Sequence, residues 1–324
     1  MTTQKRIAWI DCCKGFAMLL VILGHSLNWD NPAEKSLVFF IYSFHMPLFF
    51  ILSCFTATLS QNSEEFMQKT FKSFKHLIVP AFLIYALDVL IKMSVLHQSD
   101  WKYQIERFIY ASGCPHGLRP FLGMSWFLFA LFFGRTILDF LQIHLKKKSL
   151  CFAIFVCTLL GIFGLNYWCV FSIDIALSLM PFFYCGYILK GWDFNRKTKQ
   201  GFYLSFCGFL FFLLMTYNQK IAFSIPCRYF LVPLCYLTGI FGTLFFGYLF
   251  KILLQRIELP FLSYLGKNTL TLFLVHFLEY TYTSEYIIAD SHIFTGVIRI
   301  IADIIILFVI NKCYFISTMT TKRF

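Results

Sequence analysis

Charge is what this sequence has least of. Only 14% of its 324 residues are Asp, Glu, Lys or Arg, where water-soluble chains keep about a quarter. Too little polar surface exists to face water on all sides, which excludes a soluble globular protein. Acidic residues are the scarcer sign, 16 against 28 basic ones. The resulting charge of +12 is not a nucleic-acid surface, because the basic residues are scattered through short loops between apolar runs. No stretch outside those runs is long enough for a globular domain. The longest, about 98–119, has room only for a short amphipathic piece. Internal repeats, low-complexity tracts and Cys-x-x-Cys spacings are also missing, which argues against repeat architectures and zinc ribbons. The 12 cysteines sit mostly in apolar runs, where they act as small apolar residues. Cys114 and Cys227 fall in outer loops and can pair only in an oxidising compartment; free thiols are the expectation.

What is abundant is apolar surface. Hydrophobic residues make up 59% of the chain, Phe alone numbers 43, and the mean hydropathy is +0.70. A bilayer-spanning helix needs about 20 mostly apolar residues. Ten stretches meet that need, at about 7–28, 36–59, 76–97, 120–143, 149–167, 172–189, 201–217, 229–252, 259–280 and 293–313. The fifth and sixth are separated only by a turn near Trp168, so nine or eleven spans are the neighbouring counts. The expected fold is all-α, a polytopic transmembrane helix bundle forming one integral-membrane domain over 1–324. Basic residues set its orientation. With the N-terminus inside, 17 lie on the cytoplasmic side and 6 on the other, which places both termini in the cytoplasm. The first span carries Asp11 and Lys14 and lacks a small-residue cleavage site, so it is read as a span and not as a removable signal peptide.

Ionisable groups inside spans are costly and are functional candidates by default. Three pairs, Asp88 with Lys92, Arg135 with Asp139 and Arg299 with Asp303, stand four residues apart. Each can neutralise itself on one helix face, a structural role. His76, His97, His116, His144 and His292 fall at span ends or in loops.

The first span differs. Asp11, Lys14 and His25 share one stripe at about 100° per residue, with Met18 and Ile22 between them, and Lys14 stands about 16 Å below His25. His45 in the second span and His276 in the ninth reach the same outer depth, as do Trp126 and Asp174. One buried histidine often does no more than satisfy a backbone carbonyl. Three with an acid at one depth predict a shared cavity. No two of these residues have helix-turn ligand spacing, so no metal is expected.

Several blocks now resemble a known family. Arg6 to Asp11, Lys14 and Gly15, running on to Gly24 and His25, is similar to the opening of the acyltransferase-3 family, whose hallmark is a basic residue, ten others and a histidine. Phe44 to Ser53, Lys72 to Pro80, Ser125 to Leu128, and Leu265 to Thr269 with His276 resemble four further blocks of that family in the same order. The likeness is nearest to its fucose 4-O-acetylase-like branch. Two departures stand out: Cys54 follows Ser53 where Gly is usual, and Lys14, Lys72 and Lys75 occupy positions often held by Arg. A lysine binds phosphate as a point charge, without the guanidinium fork.

The resemblance implies a ten-helix enzyme of the inner (cytoplasmic) membrane. Its expected donor is cytoplasmic acetyl-CoA, and its acceptor is a hydroxyl of a surface glycan or lipid-linked saccharide beyond the outer face. His25 is then the candidate general base or transient acyl carrier. His276, His45 and Trp126 are candidates to position the acceptor or stabilise an oxyanion. Asp174 is the candidate to orient an imidazole, Asn268 a candidate substrate contact, and Lys14, Lys72 and Lys75 candidates for the donor's phosphates.

Two other classes compete. A proton-coupled transporter also buries ionisable groups, but it would show repeat symmetry and matched helix breaks, and Pro47, Pro181, Pro233 and Pro260 form no such pattern. A non-catalytic scaffold needs no polar stripe at all.

Overall fold

A computed structural model describes residues 7–28, 30–95, 100–111, 123–164, 169–194, 198–219, 233–283 and 291–321, with the side chains of 164 and 314–321 excepted. Its regular structure is helical. In chain order the helices are α1 (Ala8–Ser26), α2 (Pro32–Thr56), α3 (Ser63–Ser94), α4 (Trp101–Tyr110), α5 (Trp126–His144), α6 (Lys147–Gly164) and α7 (Ile173–Ser178). They continue as α8 (Met180–Leu189), α9 (Thr198–Asn218), α10 (Pro233–Leu253), α11 (Pro260–Lys267), α12 (Thr269–Thr283) and α13 (His292–Thr321). In lipid an unpaired backbone amide has no water to turn to, so apolar runs close their hydrogen bonds within the segment and become helices.

Over the described residues, each of the ten apolar stretches falls on a helix, or on two helices with a break between them. Among the described residues, seven helices are long and apolar enough to cross a membrane, or eight if α7 and α8, bent by 59°, form one broken span. Large side chains such as Phe152, Leu204, Phe211 and Ile305 are exposed on these helices. Water would not tolerate so much apolar surface, whereas lipid requires it. The chain is a polytopic, multi-pass membrane protein. The turn at Trp168 and the outer-loop cysteines Cys114 and Cys227 lie outside the described residues.

Two compact units divide the chain. One comprises residues 1–45 and 249–324, the other residues 46–248. In the first, α1 packs against α11, α12 and α13, and the chain at its C-terminal end joins the start of α2 in an apolar cluster of Leu27, Val38 and Ile41. Without a hydrophobic force between spans, close backbone approach supplies the packing energy, and small residues permit it. Gly15 and Gly266 provide that approach. A Cβ on Gly15 would lie 2.2 Å from the Leu262 carbonyl oxygen, and one on Gly266 would lie 1.7 Å from that of Asp11.

In the second unit, α3 packs on α5, and α7 on both α5 and α6. Asn62 starts α3 by accepting from the Glu65 amide at 2.9 Å, and the Glu65 carboxylate accepts in return from the Gln61 amide at 3.2 Å. Asp100 caps α4 in the same way through the Tyr103 amide at 3.0 Å. This short helix in the 98–119 region carries buried Gln104 and Arg107 on one face.

The three expected intrahelical ion pairs fare differently. Lys92 and Asp88 do pair, at 2.8 Å, and Arg107 joins them at 3.3 Å. Asp139 instead accepts from the Ser60 amide and hydroxyl, each at 2.7 Å, tying the end of α5 to the loop before α3. Asp303 and Arg299 also turn to partners on another helix. Spacing along one helix says only that two residues can meet; a better-placed partner across an interface wins.

Candidate active site

The site lies in the first unit and begins with the Gly15–Gly266 contact. With the two backbones fixed there, α1 and the α11–α12 segment ascend together. His25 stands ten residues beyond Gly15, and His276 ten beyond Gly266. At about 1.5 Å per residue each helix climbs the same 15 Å or so, and the two imidazoles arrive side by side. Met18 and Ile22, on the predicted stripe of α1, are fully buried beneath them.

The His25 Nδ1 lies 3.1 Å from the His276 Nε2. Their ring planes are parallel to within 5°, with centroids 5.3 Å apart. That separation matches the N···N distance plus two ring radii, so the rings meet edge to edge, in line for an N–H···N bond. His276 then turns its Nδ1 to the Asp303 Oδ2 of α13 at 2.8 Å. Glu279, one turn along α12, brings its Oε2 to 3.5 Å from the same Nδ1. Arg299 of α13 stands 3.6 Å from that Glu279 oxygen, and its guanidinium lies 4.9 Å over the Tyr280 ring. The Thr283 hydroxyl donates to the other Glu279 oxygen. Tyr280 flanks both imidazoles, with ring centroids 5.8 Å from His25 and 5.9 Å from His276.

For the neutral form of His276, hydrogen-bond logic orders the tautomers. A carboxylate accepts only, so the His276 Nδ1 carries the hydrogen and donates to Asp303. Neutral His276 then offers a lone pair at Nε2, and the His25 Nδ1 donates to it. His25 is left with a lone pair at Nε2, the form a general base requires. Burial follows the same line. His276 and Asp303 are 0% exposed, while His25 keeps some accessible surface.

Metal-ligand side chains gather here as well. One donor atom each from His276, Glu279 and Asp303 lies within 4.8 Å of the others. The Arg299 charge beside Glu279 and the short His276–Asp303 bond make this a hydrogen-bonded ion network more than a coordination sphere.

The remaining predicted residues divide by place. His45 is buried and its Nδ1 donates to the Ile41 carbonyl of its own helix at 2.7 Å, the ordinary structural role of a buried histidine. Lys14 lies on α1 below His25 and is partly buried. Asn268 occupies the break between α11 and α12, donating to the Tyr264 carbonyl at 2.9 Å and accepting from Asn311 of α13 at 3.3 Å. Lys72 and Lys75 are exposed on α3 in the second unit, with the Lys75 ammonium 4.4 Å over the Phe71 ring. Trp126 is buried at the start of α5. Asp174 is buried in the first turn of α7, entered through Phe171 and Ser172, both at positive φ (54° and 53°).

Among the described residues, Asp303 and Glu279 bring carboxylates to the His276 imidazole, while Asp174, the candidate from sequence position, lies on α7 in the second unit. Asp303, Glu279 and Arg299 were not among the predicted site residues. The sequence holds one signal for Glu279 and one for the pairing of the two histidines. Glu279 stands three residues after His276, one helical turn away. Gly15 and Gly266 precede their histidines by the same interval.

Comparison with known proteins places this arrangement. The family described as "Acyltransferase domain", acyltransferase-3, matches residues 7–311. The chain belongs to that family. Every residue of the candidate site described above lies within the span matched by the acyltransferase-3 family. A curated relative, the nodulation protein NolL of Sinorhizobium fredii (strain NBRC 101917 / NGR234), is 28% identical over 142 residues. That alignment takes in 40% of this chain and 34% of NolL, about a third of the relative's length. No solved structure matches the chain.

Proposed function

We propose that this acyltransferase-3 protein is an O-acyltransferase of the inner (cytoplasmic) membrane. It moves an acyl group, in the first place acetyl, from cytoplasmic acyl-CoA to a sugar hydroxyl of an extracytoplasmic glycan or lipid-linked saccharide. The observation that carries this reading is the line from His25 through His276 to Asp303. A sugar hydroxyl is a poor nucleophile until a base takes its proton. His25 removes that proton at Nε2, the oxygen attacks the thioester carbonyl, and a C–O bond forms as the C–S bond breaks. Coenzyme A leaves as the thiolate and recovers a proton from His25.

The vertical layout of α1 supports the same scheme. Lys14 stands about 16 Å below His25 along the helix, placed to draw the donor's phosphates while its thin pantetheine arm reaches up to the imidazole. Lys72 and Lys75, in the second unit, add exposed positive charge that raises the local concentration of an anionic donor.

The test is acyl transfer in inside-out membrane vesicles given labelled acetyl-CoA and the cell's own surface glycan. Wild-type vesicles should acetylate the glycan, and those carrying His25→Ala at equal protein level should not. Equal transfer by His25→Ala would overturn the assignment. Mass spectrometry of the glycan with and without the protein would show which sugar gains the acetyl group.

A further inference from the structure

Resting on the acyl-transfer reading, the geometry adds a question: where does the abstracted proton go? A base that stands alone must hold the positive charge itself. His25 does not stand alone, and the carboxylates lie around its neighbour. Asp303 is 2.8 Å and Glu279 3.5 Å from the His276 Nδ1, with Arg299 3.6 Å from Glu279. All four side chains are at least nine-tenths buried.

Counting charge over that cluster gives a clear result. With His276 neutral, two carboxylates face one guanidinium, a net charge of minus one in a buried place. With His276 protonated, two anions face two cations and the cluster is neutral. Burying uncompensated charge is expensive, so His276 is the place in this unit where an added proton is compensated. The edge-to-edge N···N contact is the path by which it arrives.

We propose that the acceptor's proton does not stay on His25 but is relayed through it, so that the cation formed during acyl transfer rests on His276 between Asp303 and Glu279. The acceptor O–H bond breaks as a hydrogen bonds to the His25 Nε2. The hydrogen on the His25 Nδ1 passes to the His276 Nε2. His25 stays neutral throughout and now presents an Nε2–H to the departing thiolate. Donation to sulfur gives the thiol, the Nδ1 recovers its hydrogen from His276, and the starting tautomers return. His276 acts through His25 and does not touch the substrate.

His276→Gln separates a relay from a prop. Its amide oxygen can accept from the His25 Nδ1 and its amide nitrogen can donate to Asp303, so His25 stays oriented; the amide cannot hold a proton. A relay predicts a loss of kcat on the order of 10²-fold or more, the range for one acid–base group, with KM for donor and acceptor within about threefold. A kcat within about threefold of wild type would overturn the relay. Wild-type single turnovers in mixtures of light and heavy water give a second measurement that needs no variant. Two protons in flight predict a bowed dependence of rate on deuterium fraction, and a straight line would overturn the proposal. Failure of the underlying reading looks different: there His25→Ala would retain transfer, whereas an inactive His25→Ala beside an active His276→Gln rejects the relay alone.

Discussion

Gly266 meets Asp11 so closely that a methyl group on its α-carbon would sit 1.7 Å from the Asp11 carbonyl oxygen. The obstacle is backbone, which cannot swing aside as a side chain can. Gly266→Ala should therefore push α11 from α1 and separate the two histidines carried ten residues above. Overpacking of this kind costs about 1–3 kcal/mol. We expect a lower thermal midpoint in detergent and transfer reduced at least tenfold, while Gly191→Ala, whose Cβ meets nothing closer than 3.6 Å, should leave both near wild type.

Removing His25 tests the chemistry directly. His25→Ala should lower kcat by about 10²–10⁴-fold, the usual contribution of a general base, with unchanged yield in the membrane fraction. The measurement is label transferred to glycan per unit of immunodetected protein.

Arg299 and Glu279 are both buried, and each compensates the other. Breaking such a pair by removing one partner costs about 3–5 kcal/mol, because the remaining charge is stranded. Arg299→Met should thus destabilise strongly, and adding Glu279→Met should restore part of the loss. A double-mutant cycle of thermal midpoints in detergent reads the coupling; purely additive losses would contradict the pairing.

Asp139 in the second unit makes a separate structural prediction. It accepts from both the amide and the hydroxyl of Ser60, and Gln142 donates to the Ser60 carbonyl. Ser60→Ala removes one bond, for a loss of about 1 kcal/mol. Asp139→Ala strands a buried amide and hydroxyl and should lose about 1–3 kcal/mol more. Resistance of the chain to protease across a temperature series would rank them.

Lys72→Ala and Lys75→Ala address the donor. Both ammonium groups are exposed, so each contributes modestly and its effect is screened by salt. KM for acyl-CoA should rise about three- to tenfold for the double variant at low salt, with kcat held, and the difference should shrink as salt is added.

Much of this was legible in the sequence, for identifiable reasons. Apolar runs of about 20 residues have few ways to exist except as membrane helices, so over the described residues all ten stretches fell on helical segments. The stripe of Asp11, Lys14 and His25 followed from helical periodicity alone. Partner choice did not follow. Arg299 and Asp303 looked self-neutralising because four residues separate them, yet the neighbouring helix α12 offers each a partner, Glu279 to the first and His276 to the second. His45 and His276 looked equivalent by depth, and only the helix contacts show that one bonds its own backbone while the other meets His25. The break at Leu179 lies in an apolar stretch with Pro181 as its local signal, while the break at Asn268 is marked by the run Gly266-Lys267-Asn268-Thr269.

Among the described residues, the line from His25 through His276 to Asp303 opens at His25, with a side branch from His276 to Glu279 and Thr283. His25 keeps accessible surface, His276 and Asp303 have none, and the far Asp303 oxygen has no hydrogen-bond partner among the described residues. A proton passed along that line meets no further partner beyond Asp303 among the described residues. Along that line the proposed relay would carry a proton in each catalytic cycle without draining the gradient across the membrane. A transporter built from the same side chains would need a second exit.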